Sequence, residues 1–206
     1  MSRLSFLEKY AVDSRHYNIH DEINKGLDDK NWNVRSSVAK NQKASKGNLD
    51  KALNDVFDGV RITAAQHLNA TTEHIDKALN DKEWSVREAA VRNPNATKKH
   101  LDKALRDKDW RVRSSASQHV NVTKEHIDKA LNDKEWSVRV DAIDNSNATK
   151  EHIDKALNDE DEVVRGAAAK HPRATKEHLD KALNDVDSYV RVAAKKNPNY
   201  HRYFSE

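Results

Sequence analysis

A unit of 26 residues recurs seven times between Ile23 and Arg191, and it constrains the fold more than any other feature of the chain. Each copy begins with a variant of Leu-Asp-Lys-Ala-Leu-Asn-Asp and places a Val-Arg pair shortly afterwards, with no gap or insertion between copies. The Val-Arg pairs lie at 34–35, 60–61, 86–87, 112–113, 138–139, 164–165 and 190–191. Repetition of so short a unit at a fixed period is typical of solenoids, in which each repeat packs mainly against its neighbours.

Composition alone would place the chain close to disordered sequences, because Leu, Ile, Val and Phe contribute only 40 of 206 residues. The repeat outweighs this, since Ala residues at helical spacing allow short helices to pack around a thin core. The 37 basic and 34 acidic residues nearly cancel. The lack of cysteine excludes disulfides and thiolate metal sites, and no run of 18 apolar residues predicts a membrane span. We therefore expect a cytoplasmic chain that contacts no membrane.

The first half of the third repeat predicts a helix over 72–80. Thr71 suits the N-cap, because its hydroxyl can accept a hydrogen bond from an otherwise unpaired backbone N–H of the first turn. Ile75, Ala78 and Leu79 follow at helical spacing and form one apolar stripe. This helix is expected to pack through that stripe against the second half of the repeat.

The second half of the same repeat predicts a helix over 82–92. Asp81 is the expected N-cap, and Val86 and Ala90 lie on the apolar face. An Asn-Pro pair ends the helix, because proline disfavours helical backbone in the residue before it. Both helices are shorter than the roughly 12–15 residues needed for marginal stability in isolation, so each depends on its neighbours.

The pattern Asp-X5-Arg with Val before the Arg, followed by Ala-Ala and Asn-Pro-X-Ala-Thr, resembles the leucine-rich repeat variant family and the second half of a HEAT repeat. The resemblance covers residues 19–198 and implies an all-α fold, a right-handed α-α superhelix of seven helix pairs in one continuous domain. The period of 26 exceeds the roughly 24 of that family and falls short of the roughly 40 of HEAT repeats. Residues 1–18 are expected to form an N-terminal capping helix and residues 199–206 a C-terminal cap.

Seven aspartates and seven arginines, six residues apart, have the chemistry of acid and base partners. A residue that recurs in every repeat is more typical of a scaffold than of one catalytic site. In HEAT-like repeats the matching pair forms a ladder, in which Asp caps a helix and bonds to Arg in its own or the next repeat. We therefore predict a structural ladder and no enzyme. Its central members are Asp81, Arg87, Asp107, Arg113, Asp133 and Arg139.

Five histidines share a column at His74, His100, His126, His152 and His178. Equivalent atoms of stacked helices lie roughly 8–10 Å apart, which is too far for two imidazoles to share a zinc with Zn–N bonds of about 2 Å. We therefore predict no metal and no cofactor, and expect each His to close the first turn of its helix. A second column suggests capping at the end of the second helix. It alternates Asn41, His67, Asn93, His119, Asn145, His171 and Asn197.

An aromatic column lies two residues before the repeated Val and is filled by Trp32, Trp84, Trp110 and Trp136. Trp84 is about 200° round the helix from Val86, so it need not face the core. A row of partly exposed tryptophans beside variable polar residues is typical of a binding face. Alternatively, each indole covers the crevice to the next repeat, and both interpretations stay open.

The columns that differ most between repeats lie on the second helix. If the second helices line the concave side, as in HEAT-like superhelices, these columns encode partner specificity. They include Arg92 and Arg111. Asp141 is a further candidate binding residue, because the rest of its column is Ser, Thr or Ala.

These features favour a monomeric, non-enzymatic solenoid that binds a protein partner as an adaptor, scaffold or inhibitor. By resemblance alone, the repeats suggest a bacterial or bacteriophage origin. The alternative is a nucleic-acid-binding solenoid similar to the HEAT-like DNA glycosylases. A pI near 8.9 permits it, and Arg87, Arg92, Arg111 and Arg113 are candidates for phosphate contacts. The acidic run at 159–162 argues against it, because it interrupts any basic stripe.

Overall fold

The computed structural model describes residues 19–204, which form fifteen α-helices and no β-strand. The first helices of the seven repeats are α1 (Ile19–Gly26), α3 (Lys46–Ala52), α5 (Thr72–Ala78), α7 (Lys98–Ala104), α9 (Lys124–Ala130), α11 (Lys150–Ala156) and α13 (Lys176–Leu183). The second helices are α2 (Trp32–Ala39), α4 (Asp58–Ala65), α6 (Trp84–Val91), α8 (Trp110–Ser117), α10 (Trp136–Asp144), α12 (Glu162–Lys170) and α14 (Ser188–Lys195). The last helix is α15 (Tyr200–Phe204).

The second helices form the tight side of the stack. Each of them packs on the second helix of the next repeat, from α2 through to α14, whereas successive first helices contact one another only sparsely. The second helices, with their variable columns, therefore lie on the more closely packed side of the stack.

The core is a thin, continuous layer between the two rows of helices. In the third repeat it contains Ile75, Ala78 and Leu79 from the first helix and Val86 and Ala90 from the second, all of them buried. Equivalent residues of the other repeats join them in one cluster. Because much of this layer is Ala and Val, the helices approach closely, and a modest number of large apolar side chains fills the interior.

The first helices begin with a contact between a Thr and a His. Thr71 is the N-cap of α5, as predicted, and its backbone N–H donates to Nδ1 of His74 at 2.9 Å. The same contact recurs at the start of α7, α9, α11 and α13. The helix ends earlier than the predicted residue 80, because Leu79 is already its C-cap.

The prediction that Asp81 caps the second helix is wrong. The helix begins at Trp84, two residues later than predicted, and Glu83 is its N-cap. Oδ1 of Asp81 accepts the Glu83 backbone N–H at 2.9 Å and closes a turn ahead of the helix. This position is imposed by the preceding repeat, since Arg61 donates to both oxygens of the same carboxylate.

A ladder of Arg–Asp pairs joins successive repeats. Nε and Nη2 of Arg113 donate to the two carboxylate oxygens of Asp133 at 2.6 and 2.8 Å, while Nη1 donates to the carbonyl of Asp107 at 2.9 Å. The prediction that each ladder Asp bonds to the Arg of its own or the next repeat is wrong for the side chain, because the Asp carboxylate binds the Arg of the preceding repeat. Only its backbone carbonyl binds the Arg of its own repeat. The pairs are Arg35–Asp55, Arg61–Asp81, Arg87–Asp107, Arg113–Asp133, Arg139–Asp159 and Arg165–Asp185.

A second ladder, built from neutral groups, follows the ends of the second helices. Nδ2 of Asn93 donates to two backbone carbonyls of the preceding repeat, and its Oδ1 accepts the N–H of Asn95. One repeat later, His119 occupies the position of Asn93. Its Nε2 lies 3.2 Å from a backbone carbonyl of the preceding repeat, and its Nδ1 accepts the backbone N–H of Asn121. The alternating Asn/His column thus closes a turn and binds neighbouring repeats together.

At the C-terminal end, α15 lies in the segment 199–206 for which a cap is predicted. It contacts α13, and Tyr203 and Phe204 pack against the core. The predicted N-terminal capping helix over 1–18 lies outside the described residues, as do residues 205–206.

Candidate functional site

The four tryptophans lie along one edge of the stack, each as the first residue of a second helix, and we call this row the tryptophan edge. Their environments differ. Trp32, Trp110 and Trp136 are 41%, 43% and 47% exposed. Trp84 is only partly exposed and packs against the core.

Two of the tryptophans are covered by a side chain of the next repeat. The ring of Trp32 lies 4.3 Å, centroid to centroid, from that of Phe57. The guanidinium of Arg111 lies 3.7 Å from the ring centroid of Trp84, and Asp109 holds it there through hydrogen bonds of 2.9 and 2.8 Å. At these two positions the indole contributes to packing between repeats.

Trp110 and Trp136 lack a cover as close as these: the guanidinium of Arg111 lies 5.8 Å from the ring centroid of Trp110, and no ring or cation lies over Trp136 within the described part of the chain. The position that Arg111 fills against Trp84 is occupied in the next two repeats by Ser137 and Val163. These side chains are too short to extend over an indole. The tryptophan edge therefore leaves two large apolar surfaces exposed in consecutive repeats.

The arginines considered for phosphate contacts are all engaged with carboxylates. Arg87 and Arg113 belong to the Arg–Asp ladder. Nη2 of Arg92 lies 2.9 Å from Glu88, one turn earlier on the same helix. Arg111 is held by an aspartate and lies on an indole, as described above. A phosphate would have to compete with an existing ion pair at each of these positions.

Asp141 binds within the stack and does not project as an isolated acid. Its carboxylate accepts hydrogen bonds from the hydroxyl of Ser114 and, at 2.6 Å, from the side-chain amide of Gln118. Ser114 lies on α8 of the preceding repeat, and Gln118 is the C-cap of that helix. The unusual residue of this column thus fastens α10 to its neighbour.

A fitted pair that the sequence does not reveal lies between α12 and α14. The ring of Tyr189 packs against Gly166, where a Cβ atom would collide with it. Lys170 also lies near this ring, with Nζ 3.2 Å from the phenol oxygen and 5.0 Å from the ring centroid. Gly and Tyr each stand out in their columns, but only the structure shows that one accommodates the other.

The histidines are used in hydrogen bonds within and between repeats. The five members of the first column are buried, and Nδ1 of each accepts a backbone N–H. Burial lowers the pKa of His100 and His126, although the nearby carboxylates of Asp76 and Asp102 raise it. Among the residues described, no group of three or more His, Asp or Glu side chains is placed to hold a metal ion.

The fold is similar to that of solved structures. A solved structure described as a leucine-rich repeat variant with a novel repetitive protein structural motif is similar to this chain, with a TM-score of 0.69 and 25% identity. The match covers 87% of this chain and 71% of the other. No protein-family model and no curated protein matches. In residues 19–204, no helix is long and apolar enough to cross a membrane. The predicted all-helical solenoid and its family resemblance are confirmed.

Proposed function

Because this chain is an α-helical repeat protein similar to the leucine-rich repeat variants, we propose that it is a non-enzymatic module that binds a protein partner. One observation carries the proposal: Trp110 and Trp136 are 43% and 47% exposed in consecutive repeats. Tryptophan is among the residues most enriched at the energetic centres of protein interfaces. Two uncovered indoles on neighbouring repeats form the kind of apolar patch that a partner buries.

The rigidity of the stack supports the same proposal. Both ladders fix each repeat against the next, so the two indoles are held at a constant separation and little conformational entropy is lost on binding. The Asp, Arg and His columns are occupied by structural hydrogen bonds, which favours a scaffold over a catalyst. We propose a cytoplasmic monomer that acts by occupying a partner surface.

The test is a double variant, Trp110→Ala with Trp136→Ala. Affinity capture from the source cell identifies a partner, and titration of that purified partner then measures binding by each variant. We expect the double variant to lose at least about tenfold in affinity, equivalent to about 1.4 kcal/mol, with an unchanged melting temperature. Both indoles are half-exposed and uncovered, so their removal leaves the core intact.

The matched control is Val56→Ser, since Val56 is a 91% exposed apolar residue in the corresponding turn of the second repeat. We expect it to bind like the unchanged protein. Retention of the partner by the double variant would contradict the proposal. A parallel loss of affinity and thermal stability would also contradict it, because the tryptophans would then be structural.

A further inference from the structure

A cleft of about 350 Å³ lies between the fourth and fifth repeats and is lined by residues of the turns that precede Trp110 and Trp136. Five cationic side chains line it: Arg113, which belongs to the Arg–Asp ladder, and Arg106, Lys108, Lys129 and Lys134, which do not. We call this the basic cleft. Lys108 and Lys134 each precede an exposed tryptophan by two residues, so the cleft and the two uncovered indoles belong to the same pair of turns.

The charge of the basic cleft is not neutralised within the described part of the chain. The side chains of Arg106, Lys108 and Lys134 make no ion pair or hydrogen bond there. Nζ of Lys129 donates only to a backbone carbonyl at 3.4 Å; burial and the charge of Arg106 lower its pKa, and the carboxylate of Asp102 partly offsets this. The cleft therefore presents cationic side chains that form no ion pair with a carboxylate.

The carboxylates that line the cleft do not offset this charge. They are Asp107 and Asp133, and each already receives two hydrogen bonds from a ladder arginine of the preceding repeat. Each ladder pair is neutral as a unit. The four other cations of the cleft remain available for an external anion.

Comparison of the repeats shows that Arg106 distinguishes this cleft, because the position of Lys129 holds Lys in all seven repeats. The position of Arg106 holds Asn or Asp in every other repeat. The position of Lys108 and Lys134 holds Glu160 in the sixth repeat and Val186 in the seventh. The basic cleft therefore arises where the repeats differ, next to the two indoles that the next repeat leaves uncovered.

We propose that the basic cleft binds an acidic segment of the protein partner, with its carboxylates among the four cations and its apolar side chains against Trp110 and Trp136. This inference rests on the proposed function, and it specifies the chemistry of the partner. Arg and Lys beside exposed aromatic rings complement a segment in which acidic and apolar residues alternate.

A polyphosphate chain fits this surface less well. Duplex DNA carries one charge per roughly 1.7 Å of its axis and is bound by basic tracks that follow it. Here the acidic turn 159–162 follows the basic cleft in the next repeat and interrupts a continuous basic track. A short peptide requires only the local charge, which is what the fourth and fifth repeats provide.

The test measures fluorescence anisotropy of a labelled peptide in which Glu alternates with Leu. A matched peptide with Gln in place of Glu is the chemical control, and a short DNA duplex is the second probe. We expect the full chain to bind the Glu peptide in a salt-dependent manner and at least about tenfold more tightly than the Gln peptide. Equal binding of the two peptides, or tighter binding of the duplex, would overturn the proposal.

The variants locate the site. The triple variant Arg106→Asn, Lys108→Gln and Lys134→Gln removes the charge of the cleft, and Asn is the residue that most other repeats carry at position 106. We expect it to bind the Glu peptide at least about tenfold more weakly. Lys82→Gln is the control, since Lys82 belongs to the same column in the third repeat but does not line the cleft. An equal loss from this control would refute a local site.

The two proposals fail in different ways. If the tryptophan variant loses the natural partner while the triple variant keeps it, the proposed function stands and the role of the basic cleft is wrong. If both variants keep the partner with full affinity, both proposals are wrong. Thermal melts of each variant establish that it is folded before binding is compared.

Discussion

The two ladders that join the repeats perform the same task with different chemistry. The Arg–Asp ladder is charged and lies at the turn between the helices, whereas the Asn/His ladder is neutral and lies where the second helix ends. A charged rung depends on two side chains, and removal of either leaves the other buried without its partner. A neutral rung donates to backbone carbonyls, which no substitution removes. A substitution in the charged ladder should therefore lower the free energy of unfolding more than a substitution in the neutral ladder.

The largest effect is expected from Asp133→Ala, in the middle of the charged ladder. It leaves the Arg113 side chain, only 6% exposed, without its anion, and it removes the acceptor of the Glu135 N–H. We predict a loss of about 1–3 kcal/mol in the free energy of unfolding, measured by urea titration.

Asp29→Ala provides the matched control for that variant. Asp29 occupies the same column in the first repeat, but within the described residues its carboxylate accepts only the N–H of Asn31. We predict a change below about 0.5 kcal/mol. Equal losses for the two variants would show that the pairing with arginine adds nothing to stability.

A smaller effect is expected in the neutral ladder. His119→Ala removes both hydrogen bonds of this rung, and we predict a loss of about 1 kcal/mol. His119→Asn should lose less, because Asn93 makes the equivalent bonds one repeat earlier. Urea titrations of the two variants measure the difference. If Asn destabilises as much as Ala, the two residue types are not interchangeable in this column.

The ladders should also fail at different pH. Burial lowers the pKa of His171, a member of the Asn/His ladder, and of His100 and His126 at the starts of first helices, below the ordinary 6.5. The unfolded chain therefore binds more protons than the folded chain just below that value, and stability should decrease as pH falls from about 7 to about 5. Thermal melts over this range measure the decrease. A constant melting temperature would contradict the neutral, accepting state of these histidines.

The charged ladder should respond only at more acidic pH. Burial raises the pKa of Asp133, but hydrogen bonds from Arg113 and from the Glu135 N–H outweigh this and hold it below the ordinary 3.8. Its contribution is therefore complete above that value and is lost as pH falls further. The melting temperature of Asp133→Ala should differ from that of the unchanged protein at about pH 5, and the difference should disappear at about pH 2.

The smallest effect is expected from Asp141→Ser, which restores a residue type common in its column. Ser114 would then face a hydroxyl, as Ser36 faces Thr63 at 2.9 Å in the corresponding positions of the first two repeats. We predict a change within about 0.5 kcal/mol in urea unfolding. A loss comparable to that of Asp133→Ala would place this contact alongside the ladders in importance.

Much of the fold follows from the sequence because each repeat carries its own local signals. The N-cap at Thr71 and the apolar spacing of Ile75 and Leu79 act within one helix, and they are readable from neighbouring residues alone. The role of Asp81 cannot be predicted from neighbouring residues. An aspartate suits both an N-cap and the turn before it, and the choice is made by Arg61, which is 20 residues away in sequence.

The candidate site was harder to predict for the same reason. The tryptophan column is evident in the sequence, but the exposure of each indole depends on a residue of the next repeat. Trp84 is covered by Arg111 of the next repeat, whereas Ser137 stands in the equivalent position after Trp110, which stays 43% exposed with Arg111 5.8 Å from its ring centroid. Assigning these contacts requires the offset between stacked repeats, which the column pattern does not contain.

Each rung of the Arg–Asp ladder runs from the arginine of one repeat to the aspartate of the next, so the stack has a direction. Among the described residues, Asp29 begins the series without an arginine, and Arg191 ends it with only backbone carbonyls as acceptors. Every interior junction between them has the same polarity and the same chemistry. A whole repeat could therefore be inserted or removed without leaving an interior charge unmatched, and the array could change its length by unit steps, as a linear polymer does.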